Sequence, residues 1–251
     1  MIKITSLCYS YYTVSVGNQK KRPPVGLQIY QPETGYRFSI DSYLIANFAN
    51  PPSGSTVIDL GCGVGVLGLL MCRKRDDLRF VGIECQGELV KYARRNIDVN
   101  SLRGRFDVIE GDIKEIGDYL DSGSCRYVIS NPPYIEQGRG KLPPDEGKAT
   151  AKSEVRTSLD DFIKASDYLL VNKGRLAMIY DARRLSVLML NLKVRGLEPK
   201  RIRFVHPFID RDANLVMVEA VKGGGVELKV ERPLIVWDKK NVYSEELKSY
   251  F

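Results

Sequence analysis

The run Asn131-Pro132-Pro133-Tyr134 carries the clearest chemical signal in this chain. It follows Tyr127-Val128-Ile129-Ser130, whose β-branched and aromatic content suits the end of a buried strand. Such a corner suits a planar amide or amine. The Asn side chain offers a carbonyl acceptor. Two prolines fix φ and remove two backbone donors, so nearby carbonyls can face a ligand. Tyr134 adds a ring able to stack on a flat group. Asn-Pro is also ordinary turn punctuation, so the run takes its meaning from a glycine loop upstream.

That loop is Asp59-Leu60-Gly61-Cys62-Gly63-Val64-Gly65, after a strand-like segment and before a helix-like one. Glycines let a ligand approach the backbone, and the amides at the next helix start favour polar or anionic groups. Two readings compete. Gly63-Val64-Gly65-Val66-Leu67-Gly68 fits the dinucleotide pattern G-x-G-x-x-G, whereas residues 59–65 fit the Asp-x-Gly-x-Gly-x-Gly loop of S-adenosylmethionine enzymes. Glu84, closing the next strand, suits ribose hydroxyls in either class. Asp112, after the third strand, can accept a hydrogen bond from an adenine amine while Ile113 packs on the ring. Asp112 is equally good as a helix N-cap. Cys62 and Cys85 read as small fillers rather than nucleophiles.

The elements that must position these residues alternate. Strands are expected at 56–60, 80–84, 105–110, 126–130 and 175–180, and helices at 66–73, 88–100, 113–120, 159–171 and 183–195. Strands at 201–205 and 215–221 are joined by Asp210-Arg211-Asp212-Ala213-Asn214, too short for a helical crossover, so they should be antiparallel. The pattern predicts a doubly wound, Rossmann-like α/β sheet, mostly parallel, of seven strands with the last antiparallel. Residues 1–34 read as a small β extension, 35–222 as the main domain and 223–251 as a packing tail. A helix should start at Ser42, capped by Ser39 or Asp41.

Composition narrows the classes. The chain has 251 residues, 43% hydrophobic, with 38 Lys and Arg against 31 Asp and Glu, a net charge of +7. That balance favours an anionic partner, nucleic acid first. His206 is the only histidine, which argues against a multi-histidine metal site. The five cysteines are scattered, as in reduced cytosolic proteins. No apolar run approaches a membrane span, and the start lacks secretory-signal features, so a cytoplasmic location is expected.

Taken in order, residues 59–65, Glu84, Asp112 and Asn131-Pro132-Pro133-Tyr134 resemble the motifs of class I amino-methyltransferases acting on N6 of adenine. Gly35-Tyr36-Arg37-Phe38-Ser39-Ile40-Asp41-Ser42, Phe204-Val205-His206-Pro207, Ala213-Asn214-Leu215-Val216-Met217-Val218-Glu219 and Gly223-Gly224-Gly225 are similar to segments of the bacterial tRNA(Val) adenine N6-methyltransferases. The resemblance implies S-adenosylmethionine as cofactor, held by Tyr36, Arg37, Phe38, Asp59, Gly61, Gly63, Gly65, Glu84, Asp112, Ile113 and Asn131. It implies methylation of the adenosine next to the anticodon of a valine tRNA. Asn131 and the Pro132 carbonyl would accept the two amine hydrogens, Pro133 would stiffen the corner and Tyr134 would stack on a base turned out of its loop. No metal is implied. Lys20, Lys21, Arg22, Arg139, Lys141, Lys148, Lys152, Arg201 and Arg203 are candidate phosphate contacts. Glutamine, DNA adenine and rRNA guanine methyltransferases share the corner. An NAD-dependent oxidoreductase would leave it unexplained, and an RNA-binding protein without activity remains a rival from another class.

Overall fold

The computed structural model of the chain describes residues 26–33, 38–133 and 157–251. Five strands alternate with helices: β1 (Thr56–Leu60), α2 (Val66–Lys74), β2 (Arg79–Glu84), α3 (Gly87–Val99), β3 (Phe106–Glu110), β4 (Cys125–Ser130), α4 (Leu159–Leu169), β5 (Leu170–Asp181) and α5 (Leu185–Val194), with α1 (Asp41–Phe48) ahead of them. Then come β6 (Leu197–His206) and β7 (Leu215–Lys222). The strand order is β3-β2-β1-β4-β5-β7-β6. β1 to β5 pair parallel, and β7 lies antiparallel between β5 and β6. The short link between β6 and β7 therefore acts as expected.

Strand alternation divides the core in two. Val57, Phe80, Tyr127, Ile129 and Ile179 pack with Leu44, Ile45, Leu69 and Ile97 on one face. Ile58, Leu60, Val128, Met178 and Val218 pack with Phe162, Ile163, Leu188 and Leu192 on the other. α4 starts on a capping box, with Ser158 Oγ accepting from Asp161 N–H and the Asp161 carboxylate accepting from Ser158 N–H at 2.8 Å. α3 buries Leu89, Val90, Ala93, Asn96 and Ile97, a helical stripe interrupted by one polar residue.

Several boundaries differ from expectation. Residues 113–120 form a short 3-10 helix, Ile113–Asp118, because Glu115 leaves helical dihedrals. The helix expected from 183 begins with a separate 3-10 turn, Ala182–Arg184. α1 begins at Asp41 with Ile40 as N-cap; Ser39 Oγ still accepts from Asp41 N–H at 3.2 Å. β6 starts well before 201, absorbing Pro199 at a bulge in its pairing with β7. The tail adds β8 (Lys229–Val230) and β9 (Leu234–Ile235) along β6, making a nine-stranded sheet, then β10 (Trp237–Lys239), β11 (Val242–Tyr243) and α6 (Glu245–Lys248). Of the expected amino-terminal β extension, residues 1–25 lie outside the described residues. Its described part forms no ladder. Instead Gln28 and Tyr30 exchange backbone hydrogen bonds with the side chains of Asn100 and Asn96, and Arg95 lies over the Tyr30 ring at 3.7 Å.

Candidate active site

β1 is flanked by β2 on one side and β4 on the other, so the order of the chain reverses at its carboxyl end. Ligand crevices form at such switch points. The glycine loop and the Asn131 corner leave the sheet here side by side. Leu60 and Ser130 are register partners, and Ser130 Oγ donates to Leu60 O at 2.8 Å.

The loop needs its glycines. Gly61, Gly63 and Gly65 all take positive φ, at 71°, 56° and 83°. Gly61 and Cys62 N–H both donate to Ile83 O, tying the loop to the end of β2. Gly65 is the left-handed residue from which α2 starts. Gly68 has another role: a Cβ there would stand 2.5 Å from the Phe106 ring, so it lets α2 close onto β3. The third glycine of the G-x-G-x-x-G spacing thus has a packing cause, which it would have in either cofactor class.

Glu84 wraps around the loop. Its Oε2 accepts from Gly63 N–H at 3.0 Å and its Oε1 from Gln86 N–H at 2.9 Å. Oε1 also accepts from the Cys85 thiol at 3.7 Å, while Oε2 keeps acceptor capacity for a ribose hydroxyl. Asp59 is buried beside it. Burial, and then the neighbouring Glu84 charge, push the Asp59 carboxyl up to about 8. Its Oδ2 has no hydrogen-bond partner among the described residues. Cys62 is buried between these acids, and its thiol is raised well above its ordinary value by burial and by Asp59 and Glu84. It fills space: a Cβ on Gly82 would meet its Sγ at 2.6 Å.

Asp112 is the N-cap of the 3-10 helix, accepting from Lys114 N–H at 3.0 Å. This fits the capping reading and leaves lone pairs for a ligand. Ile113 is buried in the core of the α4 face. Phe38 N–H donates to Gln31 Oε1 at 3.3 Å, and its ring packs 6.4 Å from Tyr43. Asn131 is half-buried, Pro132 buried and Pro133 exposed. Tyr36, Arg37 and Tyr134 lie outside the described residues, as do Lys20, Lys21, Arg22, Arg139, Lys141, Lys148 and Lys152.

Two expected phosphate contacts are spent inside the protein. Glu219, on β7, accepts from Tyr127 Oη and Arg175 Nη1, both at 2.7 Å. Arg201 joins it at 3.6 Å, reaches Glu231 at 3.6 Å, donates to Phe48 O and lies over the Phe48 ring. Arg203 is engaged by Glu246 at 2.7 Å, by Tyr250 and by the Arg232 carbonyl. Neutralising buried Glu219 and anchoring the tail explain these arginines. His206 ends β6, its Nδ1–H donating to Arg211 O at 2.7 Å, a structural role away from the loop.

Asn96 is a residue that motif reading missed. It is fully buried, and its Nδ2 donates to Val64 O and to Tyr30 O, both at 2.9 Å, while its Oδ1 accepts from Tyr30 N–H at 2.7 Å. One side chain therefore clamps the glycine loop to the amino-terminal arm. The available signal was an asparagine on the apolar stripe of α3, seven residues after Leu89.

Known proteins are similar to this chain. The tRNA1(Val) (adenine(37)-N6)-methyltransferase of Porphyromonas gingivalis is 26% identical over 189 residues, 73% of each chain. That of Parabacteroides distasonis is 21% identical over 193 residues, 76% of this chain and 79% of the relative. A crystal structure of a predicted O-methyltransferase from Agrobacterium tumefaciens superposes with a TM-score of 0.67 at 20% identity, covering 83% of this chain and 94% of that one. The methyltransferase small domain profile spans residues 40–195, containing the loop, both acids and the Asn131 corner, and the chain belongs to that family.

Proposed function

We propose that the protein is an S-adenosylmethionine-dependent methyltransferase of the exocyclic N6 amine of adenosine, acting in a tRNA anticodon loop next to the anticodon. The observation that carries this reading is the junction of the glycine loop with the Asn-Pro-Pro corner at the ends of β1 and β4, fixed by Leu60 and Ser130. The two tRNA-modifying relatives are named for that reaction, which supports the substrate. The net charge of +7 suits a polyanion.

The residues fit the cofactor. Glu84 would hold its ribose, the loop amides its carboxylate end, and Asp112 its adenine amine. When bound, S-adenosylmethionine supplies an electrophilic methyl carbon on a sulfonium. An adenine amine is a poor nucleophile because its lone pair is conjugated into the ring. Asn131 Oδ1 and the Pro132 carbonyl each accept one amine hydrogen, which holds the nitrogen and favours a more tetrahedral geometry. Pro133 limits the freedom of the corner, so little ordering remains at the moment of reaction. Tyr134 stacks on the purine. No side chain need act as a base, since the alkylated amine loses its proton to water.

Asn131→Ala should lower kcat for methyl transfer to unmodified tRNA by on the order of 10²-fold, as loss of one directed hydrogen bond does in other polar sites. Asn131 is also expected to touch the cofactor; cofactor affinity, measured by calorimetry, should fall, but far less than kcat does. An undiminished kcat would remove Asn131 from the chemistry. Transfer to a glutamine peptide or to guanine N2, with none to adenosine, would reassign the substrate and leave the corner's role intact.

A further inference from the structure

At its carboxyl end α3 presents two asparagines four residues apart, Asn96 and Asn100. Each side chain meets one residue of the arm 27–31 through both of that residue's backbone groups. Asn96 Oδ1 accepts from Tyr30 N–H at 2.7 Å, and its Nδ2 donates to Tyr30 O at 2.9 Å. Asn100 Oδ1 accepts from Gln28 N–H at 2.9 Å, and its Nδ2 donates to Gln28 O at 2.7 Å. A carboxamide offers an acceptor and two donor hydrogens, so it can stand in for the peptide group of a neighbouring strand. The spacing also matches. Four residues of helix rise about 6.0 Å, and two residues of extended chain rise about 6.6 Å. Helix and arm therefore form a two-rung ladder that reads backbone alone. Leu27 and Ile29 pack on the core, while the Gln28 side chain is exposed.

The second donor hydrogen of each carboxamide is spent as well. Asn100 Nδ2 donates to Asn96 O at 2.7 Å, which ties the outer rung to the turn that carries the inner one. Asn96 Nδ2 donates to Val64 O at 2.9 Å, inside the glycine loop. The Val64–Gly65 peptide is thus held on both sides, its oxygen by Asn96 and its N–H by Cys62 O at 2.9 Å. One residue earlier, Glu84 holds Gly63 N–H. Asn96 is fully buried. Departure of Tyr30 would leave two of its polar groups without partners, a cost the side chain relieves by turning. Any such turn releases Val64 O.

We propose that residues 27–31 are a positioning element for the cofactor, with Asn100 as a positioning residue. Docked on the ladder, the arm makes Asn96 hold the Val64 peptide in the form that the cofactor binds, so arm docking and cofactor binding strengthen each other. The proposal rests on the reading of residues 59–65 as the cofactor loop. Such coupling is reciprocal: the docked arm tightens the cofactor by the factor with which the cofactor tightens the arm. Asn100 makes no hydrogen bond to the loop and reaches it through the arm and Asn96. The Gln28 side chain has no part in the ladder, because only its backbone is read.

The test uses the full-length chain and S-adenosylhomocysteine. Hydrogen exchange at the Gln28 and Tyr30 amides should slow on the order of fivefold when this ligand is saturating. Asn100→Ala should weaken its binding in calorimetry by a comparable factor, while kcat at saturating cofactor and tRNA stays at the wild-type value. Gln28→Ala keeps both backbone groups and should bind the ligand like the wild type. A wild type that binds the ligand with unchanged exchange at both amides overturns the proposal. So does an Asn100→Ala variant with wild-type affinity, or a Gln28→Ala variant weakened as much as Asn100→Ala. A wild type that does not bind the ligand at all overturns the cofactor reading itself, and the proposal with it.

Discussion

Among single residues, Asp59 makes a prediction with a definite sign. Its carboxyl is held up to about 8 in the folded chain, chiefly by burial, against an ordinary value of 3.8. Between those values the folded state keeps a proton that the unfolded state has released. Stability contributed through Asp59 therefore falls as pH rises across this window and levels off above about 8. Asp59→Asn, which cannot ionise, should flatten this part of the profile in chemical denaturation series. Parallel profiles for the wild type and the Asp59→Asn variant would show that Asp59 is ionised when folded. The thiols give a companion expectation. Cys62 is buried and raised, and burial followed by nearby acids pushes Cys85 up to about 11. Neither should be alkylated at neutral pH as fast as an ordinary exposed thiol, and brief alkylation should leave methyl transfer intact. Rapid loss of activity that disappears when Cys62 or Cys85 is replaced by Ser would give that residue a role the structure does not support.

Among the elements, the glycine loop depends on two supports that are not adjacent to it in sequence. Asn96 satisfies Val64 and Tyr30, and its replacement by Leu would leave buried backbone groups unpaired, each costing about 1–3 kcal/mol. Asn96→Leu should lower the melting temperature and weaken cofactor binding together; unchanged cofactor affinity would separate the clamp from the site. Gly68→Ala places a methyl against the Phe106 ring and should destabilise by about 1–3 kcal/mol through overpacking. These elements also show what was readable in advance. Strand, glycine loop and helix were legible because positive-φ glycines and strand periodicity are local facts. The position of Asn131 directly after β4 was legible because the apolar strand pattern runs up to Ser130. Asn96, Glu219 and the commitments of Arg201 and Arg203 were not, because each depends on partners distant in the chain. The separation is 32 residues for Asn96 and Val64, 92 for Tyr127 and Glu219, and 153 for Arg201 and Phe48. Glu219 further depends on a strand inserted out of order. The early start of β6 was hidden by Pro199, which a bulge accommodates.

Across the whole molecule, the fold separates two tasks. The carboxyl ends of β1, β2 and β4 meet at the switch point, where we propose the chemistry, while β6, β7 and the tail are tied together through Glu219, Arg201 and Arg203. Everything functional rests on the loop and the corner forming one site that delivers a methyl group to one nitrogen. The decisive experiment incubates the protein with unmodified tRNA and methyl-deuterated S-adenosylmethionine, followed by mass spectrometry of the nucleosides. Deuterated N6-methyladenosine at a single anticodon-loop position is the expected result. Label on a ring nitrogen, on ribose or on no nucleoside at all would contradict it.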